Sequence, residues 1–114
     1  MTDCIFCAIA RGEIPSAKVY EDEHVLAFRD IHPLAPKHVV VIPKRHVQNL
    51  NELDKLTSEE QLALLHACRE VARLEGITES GYRIASNCGE EAGQTVPHLH
   101  IHVLGGGKLS VNMA

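Results

Sequence analysis

The sequence predicts an α+β fold: an antiparallel sheet carrying one long helix and one short one. Three observations predict it. The strand-like segments are short and follow one another through hairpin-length connections, which antiparallel pairing allows and parallel pairing does not. A capping-box signal at Thr57 and Glu60 opens a single long stretch of helical periodicity. The segment His98–Leu104 alternates histidine and apolar residues with period two, the mark of a strand with one face on a core. With 114 residues, 45% of them hydrophobic, the chain has the material for one packed domain over residues 1–114, of which 105–114 form a C-terminal tail.

Taken in order, residues 4–10 are short, apolar and helix-compatible, ending before Gly12. Lys18–Glu21 and His24–Arg29 read as strands around the turn Glu21-Asp22-Glu23. Ile31–Pro36 is a proline-bounded loop, because proline restricts its own backbone and that of the residue before it. His38–Pro43 is a continuous β-branched run and the best candidate for a buried strand. After Thr57, the residues Leu64, Leu65, Cys68, Val71 and Ala72 recur on one helical face, and Gly76 is the expected stop. Gly81–Asn87 reads as a strand, followed by the polar loop Cys88–Thr95. His98–Leu104 is the last strand, closed by Gly105-Gly106-Gly107.

Composition excludes several classes. No apolar run nears the ~18 residues of a membrane helix, and the start, Met1-Thr2-Asp3, lacks the basic and apolar regions of a secretory signal. A cytoplasmic protein with no membrane partner is expected, with its four cysteines reduced. A net charge of −4 and the absence of Trp argue against nucleic acid as a partner. Cys68 falls on the apolar helix face as a small core residue, and Cys88 has no assigned role. Cys4-Ile5-Phe6-Cys7 differs, because a C-x-x-C pair can place two sulfurs on one zinc ion; with no second such pair, two partly buried cysteines beside a short helix explain the spacing as well.

Eight histidines are the conspicuous feature of the composition, and three of them, His98, His100 and His102, share one strand face. Three readings compete. In one the face simply meets solvent, although solvated faces favour Thr, Lys, Glu or Gln. In another it binds a catalytic metal, although i, i+2 and i+4 on a flat strand span about 13 Å, too far for one ion. In the third it handles a phosphate: a neutral imidazole is a good nucleophile toward phosphorus, and neighbouring imidazoles can donate to phosphoryl oxygens. The surroundings favour phosphate. His32–Gln48 contains no carboxylate but holds Lys37, His38, Lys44, Arg45 and His46, and Gly93-Gln94-Thr95 runs into the histidine strand.

His98-Leu99-His100-Ile101-His102-Val103-Leu104 resembles the signature of the histidine triad (HIT) superfamily. The resemblance covers nearly the whole chain: Ile5–Ile9, Glu13-Ile14-Pro15, Ala27–Ile31, Ala35–His38, Pro43–His46 and Gly93–Pro97 also fit, and Gly105-Gly106 leans toward the Hint branch of nucleoside phosphoramidases. The resemblance implies a HIT-like homodimer whose five-stranded antiparallel sheet extends across the two subunits. It implies hydrolysis of purine nucleoside 5′-phosphoramidates through a nucleotidyl-histidine. By position, His100 is similar to the nucleophile, His102 and His38 to the pair that contacts phosphate, and Thr95 to a residue near the leaving group. Asn87, Gly93 and Gln94 match phosphate-side contacts, Asp30 the ribose acceptor with Ile31 beside it, and Phe6 and Ile9 the apolar walls of the purine site.

Some relatives in the superfamily hold structural zinc on C-x-x-C and two histidines. The matching residues are Cys4, Cys7, His46 and His98, one zinc per chain, and the chemistry itself needs no metal. The tail Lys108–Ala114 lacks the Trp that many Hint-branch chains carry there, so the resemblance does not extend to the leaving-group side. Two other functions fit the same motifs. One is a dinucleoside polyphosphate hydrolase of the same superfamily; the other is a nucleotide-binding sensor with little turnover.

Overall fold

The structure is a computed structural model that describes residues 4–113. The expectation resting on Met1–Asp3 lies outside the described residues, as does Ala114. Five antiparallel strands are arranged in the order β1-β2-β3-β5-β4: β1 Lys18–Glu21, β2 Val25–Arg29, β3 Lys37–Pro43, β4 Tyr82–Ala85 and β5 Ile101–Gly105. Two α-helices accompany them, α1 Ile5–Ala10 and α2 Ser58–Leu74. A 3-10 segment kinked at Glu52 spans Leu50–Lys55, and a single 3-10 turn spans Glu90–Ala92. Among the described residues no helix is long and apolar enough to cross a membrane.

The central strands bury both faces, which is why they read as unbroken apolar runs rather than alternating ones. Val25, Ala27, Val39 and Val41 point into the core beneath α2, together with Leu64, Ala67, Cys68, Val71, Ala72, Leu99 and Val103. The alternate residues Leu26, Phe28, Val40 and Ile42 form a second cluster with Ile9 of α1. The sheet is thus covered on one face by the long helix and on part of the other by the short one. The remainder of that second face is left to the histidines.

α2 starts as its capping box requires. Thr57 accepts from the Glu60 N–H at 3.1 Å, and the Glu60 carboxylate accepts from the Thr57 N–H at 2.8 Å. Glu60 also receives Arg45 at 2.9 Å, so a charge near a buried helix start is doubly satisfied. The helix stops at Gly76, whose φ of +74° is one that residues with a Cβ rarely adopt. One expected core residue is corrected: Leu65 is 58% exposed. It lies about 100° around the helix from Leu64, just beyond the stripe that faces the sheet.

Strand ends also differ from expectation, each for a hydrogen-bonding reason. β2 begins at Val25, because the Asp22 carboxylate accepts from the N–H groups of both His24 and Val25 in a turn. β4 ends at Ala85, because the next residue, Ser86, donates its hydroxyl to the His100 carbonyl at 2.7 Å. β5 begins at Ile101 rather than His98. Its partner β3 ends at Pro43, which has no N–H to extend a ladder, and the Leu99 N–H goes instead to the Val47 carbonyl at 2.8 Å. Gly105 is required by close approach: a Cβ there would lie 2.8 Å from Ile77 Cδ1 and 3.1 Å from the Gly81 carbonyl oxygen.

Candidate functional site

Alternation persists through the unladdered entry to β5. Leu99 and Val103 are buried under α2, and His98, His100 and His102 lie on the opposite side, where His100 and His102 sit with ring centroids 5.1 Å apart. β3 contributes His38 to the same side. The register pairs Val40 with His102 and His38 with Leu104, so the two histidines are diagonal neighbours across the ladder.

The main chain sets which nitrogen of each ring carries the proton. His100 Nδ1 lies 2.7 Å from the His98 carbonyl oxygen. A carbonyl only accepts, so Nδ1 carries hydrogen and the unshared pair of neutral His100 is on Nε2. The Leu34 N–H points at His38 Nδ1 at 3.0 Å, so the His38 proton is on Nε2, which donates to His102 Nδ1 at 2.9 Å. His102 then carries its proton on Nε2. The result is a nucleophilic lone pair on one ring beside an N–H donor on the next, supported by a third ring behind it.

Burial acts on two of these rings. It pushes His102 down to about 4, with the neighbouring His100 and His38 adding in the same direction. Burial also lowers His38, and the Asp30 carboxylate, 3.5 Å from His38 Nε2, opposes that effect. Asp30 additionally accepts from the His32 N–H at 2.8 Å. Ile31 beside it is 85% exposed, so it offers an open apolar surface.

A second cluster stands behind the row. Cys4, Cys7, His46 and His98 place four donor atoms within 4.8 Å of one another. Cys4 Sγ is 3.2 Å from His98 Nδ1, Cys7 Sγ is 3.2 Å from His46 Nδ1, and the two Nδ1 atoms are 3.1 Å apart. His98 is fully buried, and its Nε2 donates to the Pro43 carbonyl at 2.9 Å, which leaves the Nδ1 pair aimed into the cluster. Burial holds His98 down at about 4 and pushes the Cys7 thiol up to about 11, with Cys4 adding to the latter. Four N/S donors with lone pairs converging on one point are what a closed tetrahedral metal centre needs, and this cluster could hold a metal ion.

Asp30, His38 and His102 also lie within 4.8 Å of one another, but that trio does not suit a metal. The Leu34 N–H occupies His38 Nδ1 and so fixes a proton on the Nε2 atom that would have to ligate.

The remaining expected residues are placed unequally. Phe6 packs edge-on against His98 and His100, with centroids at 6.0 and 5.1 Å, and against Phe28 at 5.6 Å. Ile9 is buried in the cluster beneath it and offers support rather than open surface. The Gln94 side chain is spent on main-chain groups of two segments: its amide nitrogen donates to the carbonyls of Gln48 and Val96, and its oxygen accepts from the Gly89 N–H at 2.9 Å. Gly93 ends the 3-10 turn of the same loop. Thr95 lines an open groove with Cys4, Cys7, His46 and Gln48. Asn87 is half-buried just after Ser86. Lys44 and Arg45 are turned to Glu21 and Glu60, so that part of the basic stretch braces the fold. Sequence reasoning missed Ser86, the Pro43 carbonyl and the Leu34 N–H. The last two are backbone groups, common to every residue type, and carry no sequence signal.

The chain is similar to known proteins along most of its length. The family model for the HIT domain matches residues 11–109. The chain is 53% identical over 106 residues to an uncharacterized HIT-like protein of Azospirillum brasilense, covering 92% of this chain and 87% of that one. It is 39% identical over 112 residues to the purine nucleoside phosphoramidase of Escherichia coli K12, covering 98% and 94%. Among solved structures, a HIT family hydrolase from Clostridium thermocellum superposes with a TM-score of 0.94 at 44% identity, over 100% of this chain and 99% of that one.

Proposed function

The chain belongs to the HIT domain family, and from that premise we propose that it is a hydrolase of purine nucleoside 5′-phosphoramidates, in which AMP or GMP is joined to an amine. The observation that carries this reading is the bond from His100 Nδ1 to the His98 carbonyl, which leaves the Nε2 pair free for attack. The name of the E. coli relative supports the choice of the P–N bond.

In this reading His100 Nε2 attacks the α-phosphorus. A bond forms between Nε2 and phosphorus as the bond from phosphorus to the amine breaks, and the departing amine takes up a proton relayed from solvent on the Thr95 side. The ring of the nucleotidyl-histidine is cationic, and its Nδ1–H remains on the His98 carbonyl, which favours that charge. His102 Nε2–H, backed by His38, donates to a non-bridging oxygen as negative charge grows there. Water then attacks the same phosphorus, the Nε2–phosphorus bond breaks with its pair returning to His100, and the nucleotide leaves. Asp30 accepts from the ribose hydroxyls, Ile31 and Phe6 face the purine with Ile9 behind, and Asn87, Gly93 and the loop shaped by Gln94 line the phosphate. Thr95 stands at the leaving-group side.

The test is His100→Ala. Hydrolysis of an AMP–amine conjugate should fall by about 10³-fold or more, as expected for loss of a nucleophile, while AMP binding is kept. Turnover at the native rate would refute the mechanism.

We also assign zinc to the Cys4–Cys7–His46–His98 centre. Tetrahedral zinc with bonds of ~2.3 Å to sulfur and ~2.0–2.1 Å to nitrogen sets donors roughly 3.3–3.8 Å apart; four of the donor pairs here lie 3.1–3.5 Å apart, and all the donors lie within 4.8 Å of one another. Bound there, zinc would supply structure: all four positions would be taken by protein. The active unit in this reading is a homodimer in which the sheet continues through β4, an edge strand whose Tyr82 and Ile84 are 39% and 44% exposed.

A further inference from the structure

Resting on the reading of His100 as nucleophile, we infer that the Cys4–Cys7–His46–His98 centre is a positioning device for that residue, acting through the His98 main chain and the Phe6 ring. The first link is covalent. His98 gives its ring Nδ1 to the cluster and its carbonyl oxygen to His100 Nδ1. One residue therefore joins the metal ligands to the atom that fixes the His100 tautomer. This stretch lies outside the β5 ladder. It is held by the Leu99 N–H on Val47, by the Ser86 hydroxyl on His100, and by the His98 ring between Pro43 and the cluster.

The second link is packing. α1 has six residues, well below the ~12–15 that let an isolated helix persist in water. Its own backbone bonds are local. Cys4 caps it, with Sγ accepting from the Cys7 N–H at 3.3 Å. What ties the helix to the sheet is the pair of sulfurs at the cluster and the packing of Phe6, Ile9 and Ala10. Phe6 is carried between the two cysteines, and its ring rests on both His98 and His100.

Four ligand bonds would lock the first turn of α1 and so hold Phe6 against His100. Without an ion, only thiol and imidazole hydrogen bonds join these four side chains, and such contacts hold the first turn of α1 less firmly than ligand bonds would. Phe6 and His98 are in this sense positioning residues.

The experiment compares protein stripped of metal by a chelator under reducing conditions with the same protein reloaded with one equivalent of zinc. Two readouts are used: ¹⁵N signals of the His100 ring, which report its tautomer, and kcat and KM for an AMP–amine conjugate. In the loaded protein His100 should show a single Nδ1–H tautomer. Stripping should mix its tautomers and lower kcat about tenfold, the range seen when groups behind a site are lost, while KM rises because Phe6 also faces the purine. Titrating zinc back should restore both signals in step. His100 signals that are identical in folded stripped and loaded protein would overturn the inference.

If stripping unfolds the chain, Phe6→Leu carries the test. With the centre loaded with Co²⁺ and its tetrahedral absorption intact, the His100 signals should still shift, and unchanged signals overturn the Phe6 link. A metal-dependent His100 signal with no turnover in any sample would sustain the coupling and refute the phosphoramidase reading instead.

Discussion

At the scale of single residues, the histidines owe their differences to backbone partners. His100, His38 and His98 are the same side chain, yet a carbonyl beside Nδ1, an N–H beside Nδ1 and a carbonyl beside Nε2 give them different free atoms. Burial of the imidazoles also has a consequence for stability. His102 titrates at about 4 in the folded chain, because burial disfavours the imidazolium, and His38 is lowered for the same reason. In the unfolded chain both titrate near 6.5. Between about 6.5 and about 4 the unfolded state holds more protons at His102, so stability falls as pH drops through that range, and below it His102 adds no further loss; His38 acts in the same direction. Urea midpoints across this range should show that slope, and His102→Asn should make it shallower. A slope unchanged in the variant would remove His102 as its source.

At the scale of elements, local signals carried furthest where one side chain satisfies one backbone group. The capping box of α2 is of that kind, and Thr57 and Glu60 form it as the sequence indicated. Thr57→Ala should cost about 1 kcal/mol in urea unfolding with the m-value unchanged, the usual loss for an N-cap threonine. Periodicity was less decisive at its margins. Leu65 satisfies the helical spacing of an apolar stripe but stands at its edge, and only the position of the sheet decides that it faces out. The histidine strand shows the reverse: the alternation was legible although the ladder covers only its second half, because Leu99 is drawn into the α2 core with or without strand bonds.

At the scale of the whole molecule, the sheet keeps a free edge at β4, and exposed Tyr82 and Ile84 lie along it. An edge of this kind is a template for pairing. Wild-type protein should sediment as a dimer, and Ile84→Arg should shift it toward monomer at micromolar concentration. A wild-type monomer would exclude the continuous two-subunit sheet.

What the sequence determined by itself was periodic or local: an antiparallel α+β chain, a capped helix, a histidine face and a C-x-x-C pair. The family signature extended this to a residue-by-residue expectation for the site. Only the tertiary structure decided what those residues are near. It brought Cys4 and Cys7 to His46 and His98 across separations of up to 94 residues. It turned Lys44 and Arg45 to carboxylates and tied the Gln94 amide to the Gln48 carbonyl, 46 residues away. It also set the protonated nitrogen of His38, His98 and His100 through the backbone groups of Leu34, Pro43 and His98. The reason is physical. Side-chain pattern is written along the chain, whereas a backbone carbonyl or N–H has the same chemistry at almost every position and acquires a role only from where folding puts it.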